Sequence, residues 1–459
     1  MNNYSLKMLG LLAGVAVFGS LTAQAQDKAT LDLLVKKGVI TQADADSVAK
    51  SSATPLAAVT AKDSAVKGLK LEGMIQAQYD FLTTEDKTSG ASNPPGTNQF
   101  ELRRVYLGAV ADLGNGWGGE VLMDFAGTEA TQAPTAGPGS VNATTNGQNS
   151  FEKIIITKKF DDYNGLATFG YRKVDFTQEE VTSSAKLKAI ERSPATRYFD
   201  ENQDGVQTKR LAFANRHTGI FWNGNVAGSD TFLDGIYYDL AIADGVNNQN
   251  LQVSNANNTG INRFSYWAGA GYKGAIGDLK YDAGVYTGMS QNQNNNVTAP
   301  FQTNAVWGWN PYVTLDYGDF ELSAEFLQAW VQRGRSSTVA VTASSTSEAK
   351  PYGFNITPSY KINKEWEIAA RYSYLDTNGR GTNISDVVRD GINTTTGIAL
   401  YNSVNSYYVG VNYYIMGTSL KLSAGYEIDD FDGRQVASGA FTGPKAEVSG
   451  FRTQLQLQF

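Results

Sequence analysis

The chain has 459 residues, a formal net charge of −7, 47 Gly, 24 Tyr and no Cys. The lack of Cys excludes disulfides and thiolate metal sites, and the acidic balance argues against a general nucleic-acid binder. Beyond the first 25 residues no stretch is long and apolar enough for a membrane helix. We predict no cofactor, no metal site and no nucleic-acid partner.

The N-terminus has the features of a secretory signal peptide. Lys7 precedes an apolar run over residues 8–19, and Ala23 and Ala25 form a small-x-small cleavage site. Because such segments are removed on export, we predict that residues 1–25 are a signal peptide. The alternative is a retained transmembrane anchor, which the short apolar run disfavours.

Residues 26–67 have a different pattern. Leu31, Leu34 and Val35 share one helical face, Gly38 can end that helix, and Thr41 can cap a second one. We predict a short N-terminal periplasmic helical segment followed by a linker. It could bind peptidoglycan, a partner protein or other copies of the chain, or it could be a partly ordered tail.

From residue 68 to 459 apolar residues recur at every second position. Odd positions from Leu69 to Phe81 are mostly apolar and even positions mostly polar, and the same alternation recurs near Tyr266, Leu422 and Leu455. Successive side chains of a strand point to opposite faces, so each strand has one apolar and one polar face. This pattern predicts an antiparallel β protein, and a soluble β-sandwich, β-helix or propeller is the alternative to a barrel.

The connections between the strands alternate between short and long. Short turns are predicted at residues 112–116, 161–165, 274–278, 317–319, 362–364 and 415–418. Long polar loops are predicted at residues 127–149, 175–215, 244–259, 290–303, 333–349, 377–402 and 430–444. Short turns at one end and long loops at the other indicate a bacterial outer-membrane barrel. The predicted fold is therefore an all-β transmembrane antiparallel barrel of about 16 strands, in the cell outer membrane.

Five segments carry a resemblance to a known family. FELRRVYL at residues 100–107 resembles the paired-arginine second strand of the phosphate-selective porin O and P family. GYRKVDF at 170–176, ARYSYLD at 370–376, GVNYY at 410–414 and FRTQLQ at 451–456 are similar to the family in the same order. The resemblance implies a sixteen-stranded, homotrimeric barrel with anion-preferring pores for which phosphate and polyphosphate are the best-known solutes.

The longest loop, residues 175–215, is predicted to follow the fifth strand. In porins of sixteen strands that loop folds inward and narrows the pore, so we predict that it is the constriction loop. Alternation breaks at Arg103 and Arg104, where a bulge would put both side chains near the lumen. The predicted solute-binding residues are Arg103, Arg104, Arg172, Lys173, Arg192, Arg197, Arg210 and Arg216.

The acidic and basic charges of the loop nearly balance. The predicted solute-binding residues, which would form a basic wall of the pore, therefore predict only a mild preference for anions. Any one of its members could instead be a solvated wall charge.

These observations predict a passive porin for small hydrophilic solutes, anions such as phosphate among them. The expected partners are outer-membrane lipid, small anionic or polar solutes and two further copies of the chain. A non-conducting structural anchor or surface receptor is the alternative. We predict that the protein is not an enzyme. His217 is the only His and thus the only candidate catalytic base, and a lone His at the start of a strand after a long loop is more often a lumen or interface residue.

Overall fold

The computed structural model describes residues 66–86, 97–126, 150–161, 164–201, 210–211, 213–214, 216–226, 232–244, 264–291, 305–331, 348–388, 399–436 and 439–459. By internal contacts the chain divides into Met1–Leu69 and Lys70–Phe459. Of the first unit only residues 66–69 are described, and they contain the start of the first strand. The predicted signal peptide and N-terminal helices lie outside the described residues.

The second unit is built from antiparallel strands joined edge to edge. The strands are β1 Gly68–Asp86, β2 Thr97–Gly114, β3 Trp117–Asp124, β4 Ser150–Phe160, β5 Gly165–Lys173, β6 Arg216–Asn225, β7 Ile236–Asp244, β8 Phe264–Ile276, β9 Leu279–Gln291, β10 Ala305–Tyr317, β11 Phe320–Val331, β12 Tyr352–Lys361, β13 Trp366–Asp376, β14 Tyr401–Tyr414, β15 Leu420–Gln435, β16 Phe441–Gly443 and β17 Ala446–Gln458. The three-residue β16 pairs only with β15, so the wall itself has sixteen strands.

The sheet closes on itself because the last strand pairs with the first. Met74 of β1 lies opposite Gln458 of β17, and the register continues without a break to Asp86 and Ala446. At the seam, the Gly73 and Phe459 backbones exchange hydrogen bonds of 3.0 and 3.1 Å. Among the strands that the structure describes, closure joins the last to the first, which confirms the predicted closed antiparallel barrel of sixteen strands.

All six predicted short turns lie between paired strands, although their limits shift by a few residues. Strand β8 continues to Ile276, for example, so its turn is shorter than predicted. The sequence pattern missed the connection of β6 to β7, which contains a 3₁₀ turn at Phe232–Gly235. The outer-face alternation shifts by one residue across Arg103 and Arg104, since the exposed residues are Phe100 and Leu102 before them but Leu107 after them.

The two faces of the wall differ as the alternation predicts. In β1 and β17, Ile75, Phe81 and Leu455 are exposed on the outer face, whereas Gln76, Asp80 and Arg452 are buried on the inner face. Exposed aromatic residues lie beside the short turns: Trp117, Tyr317, Phe320, Tyr360 and Trp366. Further outward rings meet near the long-loop end, where Trp307 packs on Trp330 at 4.3 Å and Tyr372 on Tyr407 at 5.1 Å.

Many inward tyrosines lie flat on a glycine of the next strand. A Cβ on Gly269 would lie 2.5 Å from the Tyr286 ring, and one on Gly284 would lie 2.6 Å from the Tyr312 hydroxyl. Tyr286 and Tyr312 stack at 5.1 Å, and the two rings are therefore held against the wall. This pairing gives a physical reason for the high content of both residue types.

The described helices are short and belong to long loops: α1 Gln178–Val181, α2 Pro194–Asp200 and α3 Ile384–Val387. No helix in the described ranges is long and apolar enough to cross a membrane.

Candidate functional site

The segment between β5 and β6 is folded into defined turns. Thr177 caps α1 by accepting from the Glu180 amide, and Ser193 caps α2 by accepting from the Thr196 amide at 3.1 Å. Pro194 stands at the start of α2, where its fixed φ suits a first helical turn. These caps explain why residues 177–200, although rich in polar side chains, form defined turns.

Inward side chains of the wall hold the middle of this segment through its backbone. Lys421 of β15 donates to the carbonyls of Ala185 and Leu187 at 3.2 and 3.0 Å, and Asn412 of β14 donates to the carbonyl of Lys188 at 2.9 Å. Gln456 of β17 also donates to Ala185 at 3.3 Å. All these donors are on the polar inner face, so the segment contacts the wall from the inside.

Glu325 of β11 anchors the start of the segment. Its carboxylate accepts from the Gln178 and Glu179 amides at 2.8 and 3.3 Å, which are free donors at the N-terminus of α1. It also accepts from Asn310 at 3.0 Å and from Asn355 at 2.9 Å. A buried carboxylate with this many donors fixes the position of the turn above it.

A second anchor is a chain of buried ion pairs. Arg371 of β13 contacts Glu179 at 3.2 Å, the Glu191 carbonyl at 2.5 Å and Glu427 of β15 at 3.3 Å. Glu427 also pairs with Arg452 at 3.0 Å, and Arg452 reaches Asp80 of β1 at 3.1 Å. The segment is thus tied to the wall by charges that are shielded from water.

The predicted basic residues fall into one neighbourhood, but most are neutralised. Seven of the eight form an ion pair with a nearby carboxylate. The pairs are Arg103–Glu191, Arg172–Asp175, Lys173–Glu180, Arg192–Glu180, Arg197–Glu201, Arg210–Glu201 and Arg216–Glu152. Arg103 and Arg192 approach their partners to 2.5 Å. The carboxylates lie next to the arginines, not opposite them across an open space.

Arg104 differs from the other seven. It is buried and donates to Gln76 of β1 at 2.7 Å, and within the described ranges no carboxylate lies at ion-pair distance from it. Both Arg103 and Arg104 make inward contacts, which agrees with the shift in alternation at this pair.

A cavity of ≈ 150 Å³ separates the segment from strands β10, β11 and β12. The segment contributes Lys186 and Lys188, and the wall contributes Glu321 and Glu325 with a row of hydroxyls. That row consists of Thr314, Ser323 and Thr357, which lie directly opposite one another in the strand register. The cavity therefore combines both signs of charge with neutral hydrogen-bonding groups.

Two titratable groups of the segment are shifted by their surroundings. Burial raises the pKa of Asp200 well above its usual range, although Thr177 donates to its carboxylate. Burial of Lys188 opposes its charge, but Glu321 and Glu367 outweigh that effect and raise its pKa. Lys188 lies 2.7 Å from Glu367 and 3.1 Å from Glu321, so it remains charged at neutral pH.

The two ends of the segment add an apolar cluster to the polar contacts. Phe176 and Phe213 meet edge to face at 4.7 Å, and Phe213 packs on Trp267 of β8 at 6.1 Å. His217 stacks on the same Trp267 at 4.6 Å, and the His217 ring nitrogen Nδ1 contacts the Asp244 carbonyl at 2.9 Å. The position of His217 is that of a packed wall residue.

Comparisons with known proteins agree with this architecture. Residues 70–459 match the protein family described as phosphate-selective porin O and P. No curated protein matches the chain.

Solved structures to which the chain is similar include three outer-membrane proteins. The channel DcaP of Acinetobacter baumannii is 15% identical, with a TM-score of 0.49 over 87% of this chain and 99% of that one. OmpF of Salmonella typhi, solved in complex with daunomycin, is 13% identical, with a TM-score of 0.49 over 85% and 97%. In-vitro folded OmpT of Vibrio cholerae is 13% identical, with a TM-score of 0.46 over 87% and 99%.

Proposed function

Since the chain belongs to the phosphate-selective porin O and P family and is an outer-membrane porin, we propose that it lets small hydrophilic solutes diffuse passively, anions such as phosphate among them. The observation that carries the proposal is a closed barrel with a polar inner face and a folded segment attached inside it. We further propose that this segment, residues 175–215, is the constriction loop.

We propose that the preference for anions is mild. Rings of free positive charge favour anions in a pore, but ion pairs cancel much of that field. Seven of the eight predicted solute-binding residues have a carboxylate partner, which leaves Arg104 as the strongest candidate for direct contact with an anion.

A non-conducting anchor or receptor is the second candidate. The buried aromatic cluster of Phe176, Phe213 and Trp267 favours it, because these side chains fill part of the inner space. Planar-bilayer recordings separate the two functions, since a plugged barrel gives no ion current.

The same recordings test selectivity between anions and cations when the two sides of the bilayer hold different salt concentrations. Replacing Arg104 with Ala is expected to shift the reversal potential toward cations, because it removes a positive charge without freeing a carboxylate. Replacing Arg103 or Arg192 removes a positive charge beside Glu191 or Glu180, so the negative charge there is less compensated and the reversal potential is expected to shift in the same direction. A conducting protein whose three variants keep the original reversal potential would contradict the assignment of these residues.

We also propose, from family membership, that the protein is a homotrimer. From the basic start, the apolar run and the small-x-small site of the N-terminus, we propose that residues 1–25 are a signal peptide. The predicted helices within residues 26–67 would then be periplasmic.

A further inference from the structure

We infer that the cavity between the constriction loop and strands β10–β12 is a transient binding site for small zwitterions of the α-amino-acid class. The inference rests on the proposed porin function, because a solute reaches this cavity only through the pore. The inference adds zwitterions, which have no net charge, to the anions named in the proposed function.

The first step concerns the positive charge. Lys186 is exposed at the cavity, and in the part of the chain that the structure describes no carboxylate lies within ion-pair distance of it. Lys188, by contrast, is occupied by Glu321 and Glu367. Lys186 is therefore the ammonium available to the carboxylate of a solute.

The second step concerns the negative charge. Glu325 is saturated by the donors that anchor α1, and Glu179 is held by Arg371 and by the Ser193 amide. Glu321 keeps 30% of its side chain exposed, and Lys188 at 3.1 Å is its cationic neighbour. A carboxylate has about four acceptor positions, so Glu321 can also accept from the ammonium of a solute.

The third step concerns the size of the cavity and the neutral groups that line it beside Glu321. Glu321 and Glu325 lie on the same face of β11, each about 7 Å along the strand from Ser323. Ser323 is the centre of the hydroxyl row with Thr314 and Thr357. The volume of ≈ 150 Å³ corresponds to about five water molecules, which is the size class of glycine or alanine.

These three features favour a solute that carries both charges. An anion would meet Lys186 but also the glutamates, and a cation would meet Glu321 but also the lysines. A small zwitterion satisfies Lys186 and Glu321 together, while the hydroxyl row replaces part of its hydration. Binding of this kind is weak enough for release, as conduction requires.

The experiment measures solute flux into liposomes that contain the full-length mature protein. Glycine is compared with size-matched glycolamide, glycolate and ethanolamine, which are neutral, anionic and cationic. We expect glycine to enter about threefold faster than glycolamide, a factor that partly exposed ion pairs can supply.

Two variants identify the residues. Lys186→Gln and Glu321→Gln are each expected to bring the glycine-to-glycolamide ratio close to about one, because each removes one half of the recognition. A pore that only sieves by net charge would change its glycolate and ethanolamine rates but would keep the glycine ratio, since glycine has no net charge. The matched controls Lys364→Gln and Glu365→Gln lie in an exposed turn and should keep the wild-type ratio.

The outcomes separate the two proposals. A protein that gives no ion current in planar bilayers fails as a porin. A conducting protein with equal glycine and glycolamide rates, or with an unchanged ratio in both variants, overturns the zwitterion site alone. Because each ratio is taken within one liposome preparation, differences in the amount of folded variant do not affect it.

Discussion

Arg371 is a residue that joins the charges of the loop to those of the wall. Its guanidinium contacts Glu179 and the Glu191 carbonyl in the loop and Glu427 in the wall. Replacing Arg371 with Met removes the buried cation from Glu179 and Glu427, which keep only the Ser193 amide and Arg452 respectively. Breaking a buried ion pair typically costs up to about 3–5 kcal/mol. We expect the Arg371→Met protein to unfold at a lower midpoint in detergent, and tryptophan fluorescence measures this unfolding.

The control for Arg371→Met is Lys445→Met. Lys445 pairs with Asp432 at 2.7 Å, but 62% of its side chain is exposed. Loss of an exposed pair changes stability little, because water and salt screen the two charges. Equal effects of the two substitutions would show that burial does not strengthen the Arg371 network.

Asp200 gives the constriction loop a pH dependence that can be isolated. Its pKa is raised by burial, so the folded protein retains a proton that the unfolded chain releases above a pH of about 4. Stability contributed by this proton is present at low pH and is lost as pH rises through the folded pKa. Asp200→Asn cannot ionise and should therefore be more stable than the wild type at pH 7.

The measurement compares unfolding midpoints of wild type and Asp200→Asn across pH. The advantage of the variant should shrink steadily as pH falls and be smallest below a pH of about 3, where Asp200 is protonated in both states. Other titrating groups cancel because they are common to both proteins. A difference that stays constant with pH would mean that Asp200 is not the titrating group.

At the scale of the elements, the constriction loop can be tested without background labelling because the chain contains no Cys. A neutral maleimide attached to Lys186→Cys should lower the single-channel conductance by about half or more, since a bulky group at a constriction blocks ions. The same label on Lys445→Cys should leave the conductance unchanged. If both labelled proteins conduct like the wild type, the loop is not the constriction.

The glycines beneath the tyrosines make a separate prediction for the wall. A side chain at Gly269 would displace the Tyr286 ring, so Gly269→Val should cost about 1–3 kcal/mol and move an aromatic ring into the lumen. We expect a lower unfolding midpoint and a lower conductance. Gly119→Ala is the control, because its Cβ would meet only the Ile155 carbonyl at an ordinary 3.4 Å.

The strands were predictable from the sequence because their signal is local. Alternation in β1, β8, β15 and β17 assigned the buried inner face correctly, including Asp80 and Glu427. The loop contacts were not predictable, because their partners are distant in the chain. Arg103 and Glu191 are 88 residues apart, and Arg371 and Glu179 are 192 apart.

Glu325 shows most clearly what could not be predicted from the sequence. Alternation assigned it to the polar face, but its role as the anchor of α1 depends on a segment 147 residues earlier in the chain. The hydroxyl row on β10–β12 was also missed, because Thr and Ser at alternate positions are common in strands. A search for polar rows in the predicted strand register would have found it.

At the scale of the whole molecule, the homotrimer is a prediction from family membership. Native mass measurement in mild detergent should give three times the mass of the mature chain, and N-terminal sequencing should begin at about Gln26. A chain that starts at Met1 would contradict the signal peptide, and a monomer that persists at high protein concentration would contradict the trimer.

The seam between β1 and β17 also sets the order of folding. Gln76 and Gln456, which hydrogen-bond at 2.8 Å, are 380 residues apart, so the last pairing forms only after the whole chain is present. Pairing of such separation is slow, because the entropy of closing the chain is lost before the contacts form. Until then both terminal strands expose unpaired backbone groups to water or to neighbouring chains. We therefore expect pairing of the final strand with β1 to be a late step of folding, and a chain that lacks β17 to keep an unpaired edge on β1.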